Sequence, residues 1–418
     1  MEKNVGFRRT KLACYSSYFT MSSVFCLPAL LFTTFHERYG ISYTLLGTLV
    51  LTNFCTQMLV DLLFSLFAKK FNAQMLVRVT PLITSLGLVI YALVPWLLPQ
   101  QFAYAGLLAG TVIFSVAAGL SEVMLSPTIA ALPSDNPQRD MSMLHSLYAF
   151  GIFFVIVVST AFFALFDRSK WMFLTLFFAA LPVIAAVLFM LSPMPDLQGG
   201  SEKERASRSR SRTIGLILCV ACIFFGSCAE NTMSNWISGY MENALHIPKA
   251  VGDMLGLAAF AILLGLTRIT YAKYGKNIFR MLTVGMIGAA VCYLVVVFSG
   301  APAVALIACV LTGIFTSMLW PGALIMMEEN VPCVGVAAYA LMASGGDLGA
   351  SVAPQLMGIV TDAVSASPLG ARLSEQLSLS PEQVGLKAGM LACAIFPILG
   401  IVMLFFTIRF FKRIKKQA

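Results

Sequence analysis

Charge is what this 418-residue chain has least of: Asp, Glu, Lys and Arg make up 11% of it, against 59% hydrophobic residues. A soluble domain is about 25% charged, so neither a water-facing globule nor a disordered chain fits. Histidine is scarcer still, with three in the whole chain. That is too few for most metal enzymes, and the sequence carries no metal-ligand cluster, catalytic triad or phosphate-binding loop. Polar stretches are too short to build an enzyme domain. The ten cysteines fall almost entirely in apolar runs. Cys219 and Cys222 have redox-motif spacing but lie inside such a run with no second pair, which reads as packing. No catalytic residue, cofactor, metal or cleavable signal peptide is therefore expected.

What the chain has in abundance is apolar runs, each near the roughly 20 residues a helix needs to cross hydrocarbon. Twelve are read, at about 12–35, 43–67, 76–98, 103–131, 140–166, 171–192, 213–241, 250–273, 278–299, 303–327, 334–361 and 387–411. They are continuous rather than alternating, which predicts helices and not a barrel. Twelve spans put both termini on one side, and 22 of the 28 Lys and Arg fall on that side, with six on the other. By the positive-inside rule that side is cytoplasmic. The net charge of +9 thus follows from topology and calls for no nucleic-acid partner. The tail Arg409 to Lys416 is expected to rest on anionic lipid headgroups.

Four acids interrupt these runs: Asp61, Glu122, Glu230 and Asp347. A carboxylate in hydrocarbon costs about 2.5–3.5 kcal/mol on insertion scales, so such residues face a water-filled path and bind or carry something. The longest polar interruption runs from 193 to 212 and is rich in Pro, Gly, Ser and Arg. It reads as a flexible cytoplasmic linker between a six-helix half at 1–192 and a second at 213–418. Faint repetition supports that division: Phe67 to Asn72 ends the second span as Tyr271 to Lys276 ends the eighth, and Pro127 is echoed by Pro321. Six plus six helices with weak internal symmetry indicate a secondary transporter, with its site expected where the halves meet.

On these features the chain resembles the major facilitator superfamily over its full length. The turn after the second span places Lys69 where the family carries an acid, and Gly265 to Lys276 is similar to the C-terminal counterpart. Three segments resemble the fucose permease-like branch of proton-coupled sugar symporters: Ser121-Glu122 to Pro127, Leu144-His145 to Gly151, and Glu230-Asn-Thr-Met-Ser-Asn-Trp236 to Tyr240. The resemblance implies an all-α integral membrane fold of 12 helices, a monomer, and a cavity lined by helices 1, 4, 7 and 10. None of the interior ionisable residues falls on the outer helices 3, 6, 9 or 12 that the resemblance implies.

Roles follow from chemistry. Removing a carboxyl from water favours its protonated form, which makes Glu122 the leading proton site. His145 lies at similar depth across the hairpin, and Glu230 and Asp347 are further proton-coupling candidates. Amides and aromatic rings suit a polyhydroxylated solute, so Asn53, Gln57, Tyr148, Glu230, Asn231, Asn235, Trp236 and Trp320 are candidate substrate contacts. The four-residue spacing of Asn53, Gln57 and Asp61 equally suits hydrogen bonding between helices. Asp61, Lys69 and Arg268 read as gating or structural charges. The expected function is proton-coupled transport of a small polar solute, a sugar first. The alternative is a proton-driven efflux antiporter for an amphipathic compound, to which 22 Met and 32 Phe would suit a greasy site.

Overall fold

A long apolar run satisfies its backbone polar groups in lipid only by closing its own hydrogen bonds, and the structure is helical nearly throughout. The computed structural model describes residues 2–67, 72–134, 137–195, 210–274, 277–332 and 336–417. In the first part of the chain the helices are α1 (Glu2–Leu30), α2 (Phe32–Tyr39), α3 (Tyr43–Phe67), α4 (Ala73–Leu97), α5 (Ala103–Ala130), α6 (Pro137–Leu165) and α7 (Trp171–Met190). In the second they are α8 (Arg210–Asn243), α9 (Lys249–Val251), α10 (Ala259–Tyr274), α11 (Ile278–Phe298), α12 (Pro302–Thr316), α13 (Leu319–Asn330), α14 (Val336–Ser365), α15 (Pro368–Leu377), α16 (Pro381–Cys393) and α17 (Ile395–Gln417).

Among the described residues nine helical runs are long and apolar enough to cross a bilayer, and α1 with α2, bent by 45°, makes a tenth. The two remaining segments of the expected twelve are α6, with an apolar stretch at Phe150–Leu165, and α14. The 30-residue α14 is made polar by Ser344, Asp347, Ser351 and Thr361, all buried. Local chemistry sets the starts. Asn72 caps α4 by accepting from Met75 N at 3.1 Å, and Asn277 caps α11 by accepting from Arg280 N at 3.0 Å. Each satisfies a donor that the first helical turn leaves open.

The chain forms two compact units, Met1–Ile41 with Thr52–Ser201 and Ser42–Leu51 with Glu202–Ala418. In the first, α1 packs on α6 and α7, and α4 on α5 and α7. In the second, α14 packs on α8 and α16, and α11 on α12. Glycine makes the closest of these contacts possible, because lipid offers helices no hydrophobic drive and association rests on close packing. A β-carbon at Gly349 would stand 2.3 Å from the Phe224 carbonyl oxygen of α8, and one at Gly87 would stand 2.5 Å from Phe114 N of α5.

Ser42–Leu51, continuous in sequence with the first half, clusters with the second unit. Asp362 on α14 caps the start of α3, accepting from Tyr43 N at 3.2 Å and Thr44 N at 2.6 Å. Tyr43 Oη donates to Glu382 and accepts from Asn243 Nδ2. Gly358 lets α14 approach so closely that a β-carbon there would lie 2.3 Å from Tyr43 O.

Candidate functional site

Proline sets up the centre of the second unit. Pro321 has no N–H, so the carbonyl four residues earlier, at Ser317, receives no helical hydrogen bond. The helix breaks there, between α12 and α13, near the middle of the Pro302–Asn330 span. Arg268 on α10 fills the gap: its Nε donates to Ser317 O at 2.8 Å. The same guanidinium reaches α8, where Nη2 meets Glu230 Oε1 at 3.0 Å and Oε2 at 3.4 Å. One cation thus ties α8 and α10 to the break between α12 and α13. The Glu230 side chain is 18% exposed and that of Arg268 35%. An intramembrane pair that is neither sealed nor at the surface faces the bundle interior or a water-filled space.

Next to it on α8 the amides bond along their own helix. Asn231 Nδ2 donates to Ser227 O and Oγ at 3.2 and 3.1 Å, and Asn235 Nδ2 donates to Asn231 O at 2.8 Å. Trp236 is 1% exposed. Its Nε1 donates to Pro354 O at 3.2 Å, and its ring contacts that of Tyr43, so it sits inside packed protein. Trp320 is only half-buried and its ring lies against α14, where a β-carbon at Gly346 would meet it at 2.3 Å. Gly346 precedes Asp347, which is buried on α14.

In the first unit, Asn53 and Gln57 are buried on α3. Asn53 Oδ1 accepts from Gln57 Nε2 at 3.0 Å and from Ser115 Oγ of α5 at 2.6 Å. This polar stripe joins two helices. Asp61, one turn on, is buried too. Glu122 lies half-buried on α5, just past Gly119, where a β-carbon would stand 3.0 Å from Val60 of α3. Tyr148 on α6 makes edge contacts with Tyr18 and Phe25 of α1 at 6.2 and 5.6 Å between centroids. Lys69 and the side chain of His145 lie outside the described residues.

The structure also holds a charged group that the sequence reading did not single out. Lys249 Nζ meets Ser238 Oγ at 2.8 Å, Asp253 Oδ2 at 3.5 Å and Glu242 Oε2 at 4.0 Å, and Ser238 Oγ also donates to Asp253 Oδ1. A π-helical turn, Gly252–Ala258, carries Asp253 between α9 and α10. The signal was available: Lys249 and Asp253 are four residues apart, one helical turn, at the start of an apolar run. The pairing of Glu230 with Arg268 had a signal as well, since an arginine inside a span needs a carboxylate or carbonyl partner.

The comparisons agree with this architecture. No curated protein gives a significant sequence match. Among solved structures, a bacterial homolog of the human lysosomal transporter Spinster, in an inward-facing and occupied conformation, aligns at TM-score 0.73 and 12% identity, over 99% of this chain and 98% of that one. A D-xylose-proton symporter aligns at TM-score 0.73 and 15% identity, over 94% and 97%. The nucleoside transporter NupG (a D323A mutant) aligns at TM-score 0.67 and 12% identity, over 95% and 99%. At these identities the likeness is one of fold. The family model for the Major Facilitator Superfamily matches residues 12–354, and with that match the all-helical, multi-pass chain belongs to this superfamily and is a transporter, not an enzyme.

Proposed function

We propose that the protein is a proton-coupled secondary transporter that imports a small polar solute, a sugar or sugar derivative first, across a bacterial cytoplasmic membrane. The observation that carries this reading is the Glu230–Arg268 pair. Arg268 has an independent anchor on Ser317 O, so Glu230 can gain and lose a proton while the guanidinium stays in place. A carboxyl that cycles between charged and neutral beside a fixed cation gives alternating access a proton-dependent step. Glu122, half-buried in the other unit, is the companion proton site in this reading, with Asp347 a further one. Trp320, a half-buried aromatic of the second unit, is the proposed stacking face for the solute.

Support for a sugar comes from the three motif segments that resemble the fucose permease-like branch, and a D-xylose-proton symporter is among the proteins of like fold. The test is purified protein in liposomes loaded with a pH-sensitive dye and challenged with neutral sugars, sugar acids and nucleosides. Lumenal acidification triggered by one solute is expected. It should be lost in Glu122→Gln, which retains solute exchange. Uptake of a solute with no proton movement at any pH would refute coupling, and drug resistance on overexpression would shift the reading to efflux.

A further inference from the structure

Arginine offers five N–H donors, and the described contacts of Arg268 use Nε and Nη2. Nη1 has no hydrogen-bond partner among the described residues, and 35% of the side chain is accessible. Its guanidinium touches Ser317 O near the middle of a membrane span. A guanidinium facing hydrocarbon at that depth would be strongly disfavoured, so the accessible face looks onto water. It is a planar, permanently charged fork, the geometry that takes carboxylate or phosphate in bidentate fashion.

We propose that Arg268 is the binding site for an anionic group on the transported solute, a carboxylate or phosphate, and that Glu230 is the counter-ion it replaces. The inference rests on the transport reading above and narrows its substrate class. In the empty site Glu230 neutralises Arg268. When the solute's anion binds, Glu230 takes up a proton and withdraws as a neutral acid, while Ser317 O keeps the guanidinium in position. One negative charge and one proton enter together, so the site carries the same net charge before and after loading. Other titratable groups on these elements include Glu242 on α8, Tyr271 on α10, Glu328 and Glu329 on α13, and Asp347 and Asp362 on α14. None of them is an ion-pair partner of Arg268 among the described residues.

The test titrates purified full-length protein in neutral detergent with D-glucuronate, D-glucose and inorganic phosphate, at mildly acidic and at neutral pH. Binding is read as saturable thermal stabilisation. Glucuronate or phosphate is expected to bind more tightly than glucose, and more tightly in acid. Whichever of the two anions binds better identifies the group. Arg268→Gln should weaken anion binding about ten- to hundred-fold, the range for loss of a charge-assisted hydrogen bond. Glu230→Gln should keep binding and lose its pH dependence. Because Arg268→Gln alone strands a carboxylate, the double variant Arg268→Gln/Glu230→Gln serves as the folded control, and it should show the same weakened anion binding at both pH values. No saturable anion binding to the wild type, or equal binding to the double variant, overturns the proposal. Proton-coupled uptake of a neutral solute by Arg268→Gln would leave the transport reading standing and remove this one. Anion binding without any proton-coupled uptake would do the reverse.

Discussion

Replacing Lys249 by Met isolates the energetics of the buried charged group at the end of α8. The side chains of Lys249 and Asp253 are 7% and 3% exposed. Without the ammonium, Asp253 keeps only the donation from Ser238 and stays near Glu242, a like charge whose Oε2 lies 4.0 Å from Lys249 Nζ. Breaking a buried pair from one side costs about 3–5 kcal/mol. The 3.5 Å separation of the pair is longer than an ideal charge-assisted hydrogen bond, which places Lys249→Met near the low end, at about 3 kcal/mol. Asp253→Asn added to it removes the stranded carboxylate, and the double variant should recover at least half of the loss. Denaturant unfolding in detergent micelles, followed by tryptophan fluorescence, gives the four free energies of the cycle once Asp253→Asn alone is included. A single-variant cost below about 1 kcal/mol, the level of a solvent-exposed pair, would show that water reaches the group and that its burial has no energetic weight. Additivity of the two changes would refute coupling directly.

Other expectations follow from close contacts and hydrogen bonds. Gly349→Ala forces a β-carbon against the Phe224 carbonyl at 2.3 Å and should destabilise by about 1–3 kcal/mol; an unchanged melting temperature would mean that α8 and α14 separate without cost. Trp236→Phe removes the donation to Pro354 O and should cost about 1 kcal/mol while leaving the solute KM within about twofold. A large rise in KM with stability unchanged would return Trp236 to the binding site. Asp362→Ala uncaps Tyr43 and Thr44, at about 0.5–2 kcal/mol. Faster hydrogen exchange confined to Ser42–Leu51 is the expected signature, and unchanged exchange there would show that the cap does not hold the segment.

The apolar runs were legible because a bilayer leaves a backbone few options, and the helices follow those runs closely. The acids were legible one by one for the same reason. Their partners were not, because partnership depends on how helices meet. Arg268 stands 38 positions from Glu230, and nothing in either segment names the other. Trp236 is a candidate solute contact by its ring chemistry, yet it lies against Pro354 O and Tyr43; residue type gives what a side chain can do, not what covers it. The Asn53–Gln57 stripe was legible as polar, and its partner Ser115, 62 positions away, came only with the fold. Likewise, chain continuity assigns Ser42–Leu51 to the first half, whereas its hydrogen bonds to Asp362 and Glu382 on α14 and α16 place it with the second unit. Lys69 and the side chain of His145 lie outside the described residues and stay as sequence expectations.

The break at Ser317 has a consequence for how this chain tolerates change. Pro321 and Arg268 sit on different helices, yet they answer to the same carbonyl oxygen. A variant that regains an N–H at position 321 closes the helix over Ser317 and evicts the guanidinium from one of its two anchors. A variant that loses the arginine leaves an unfilled carbonyl in the middle of a membrane span. Each residue therefore constrains the other, and the two are expected to be gained or lost as a unit when such chains diverge.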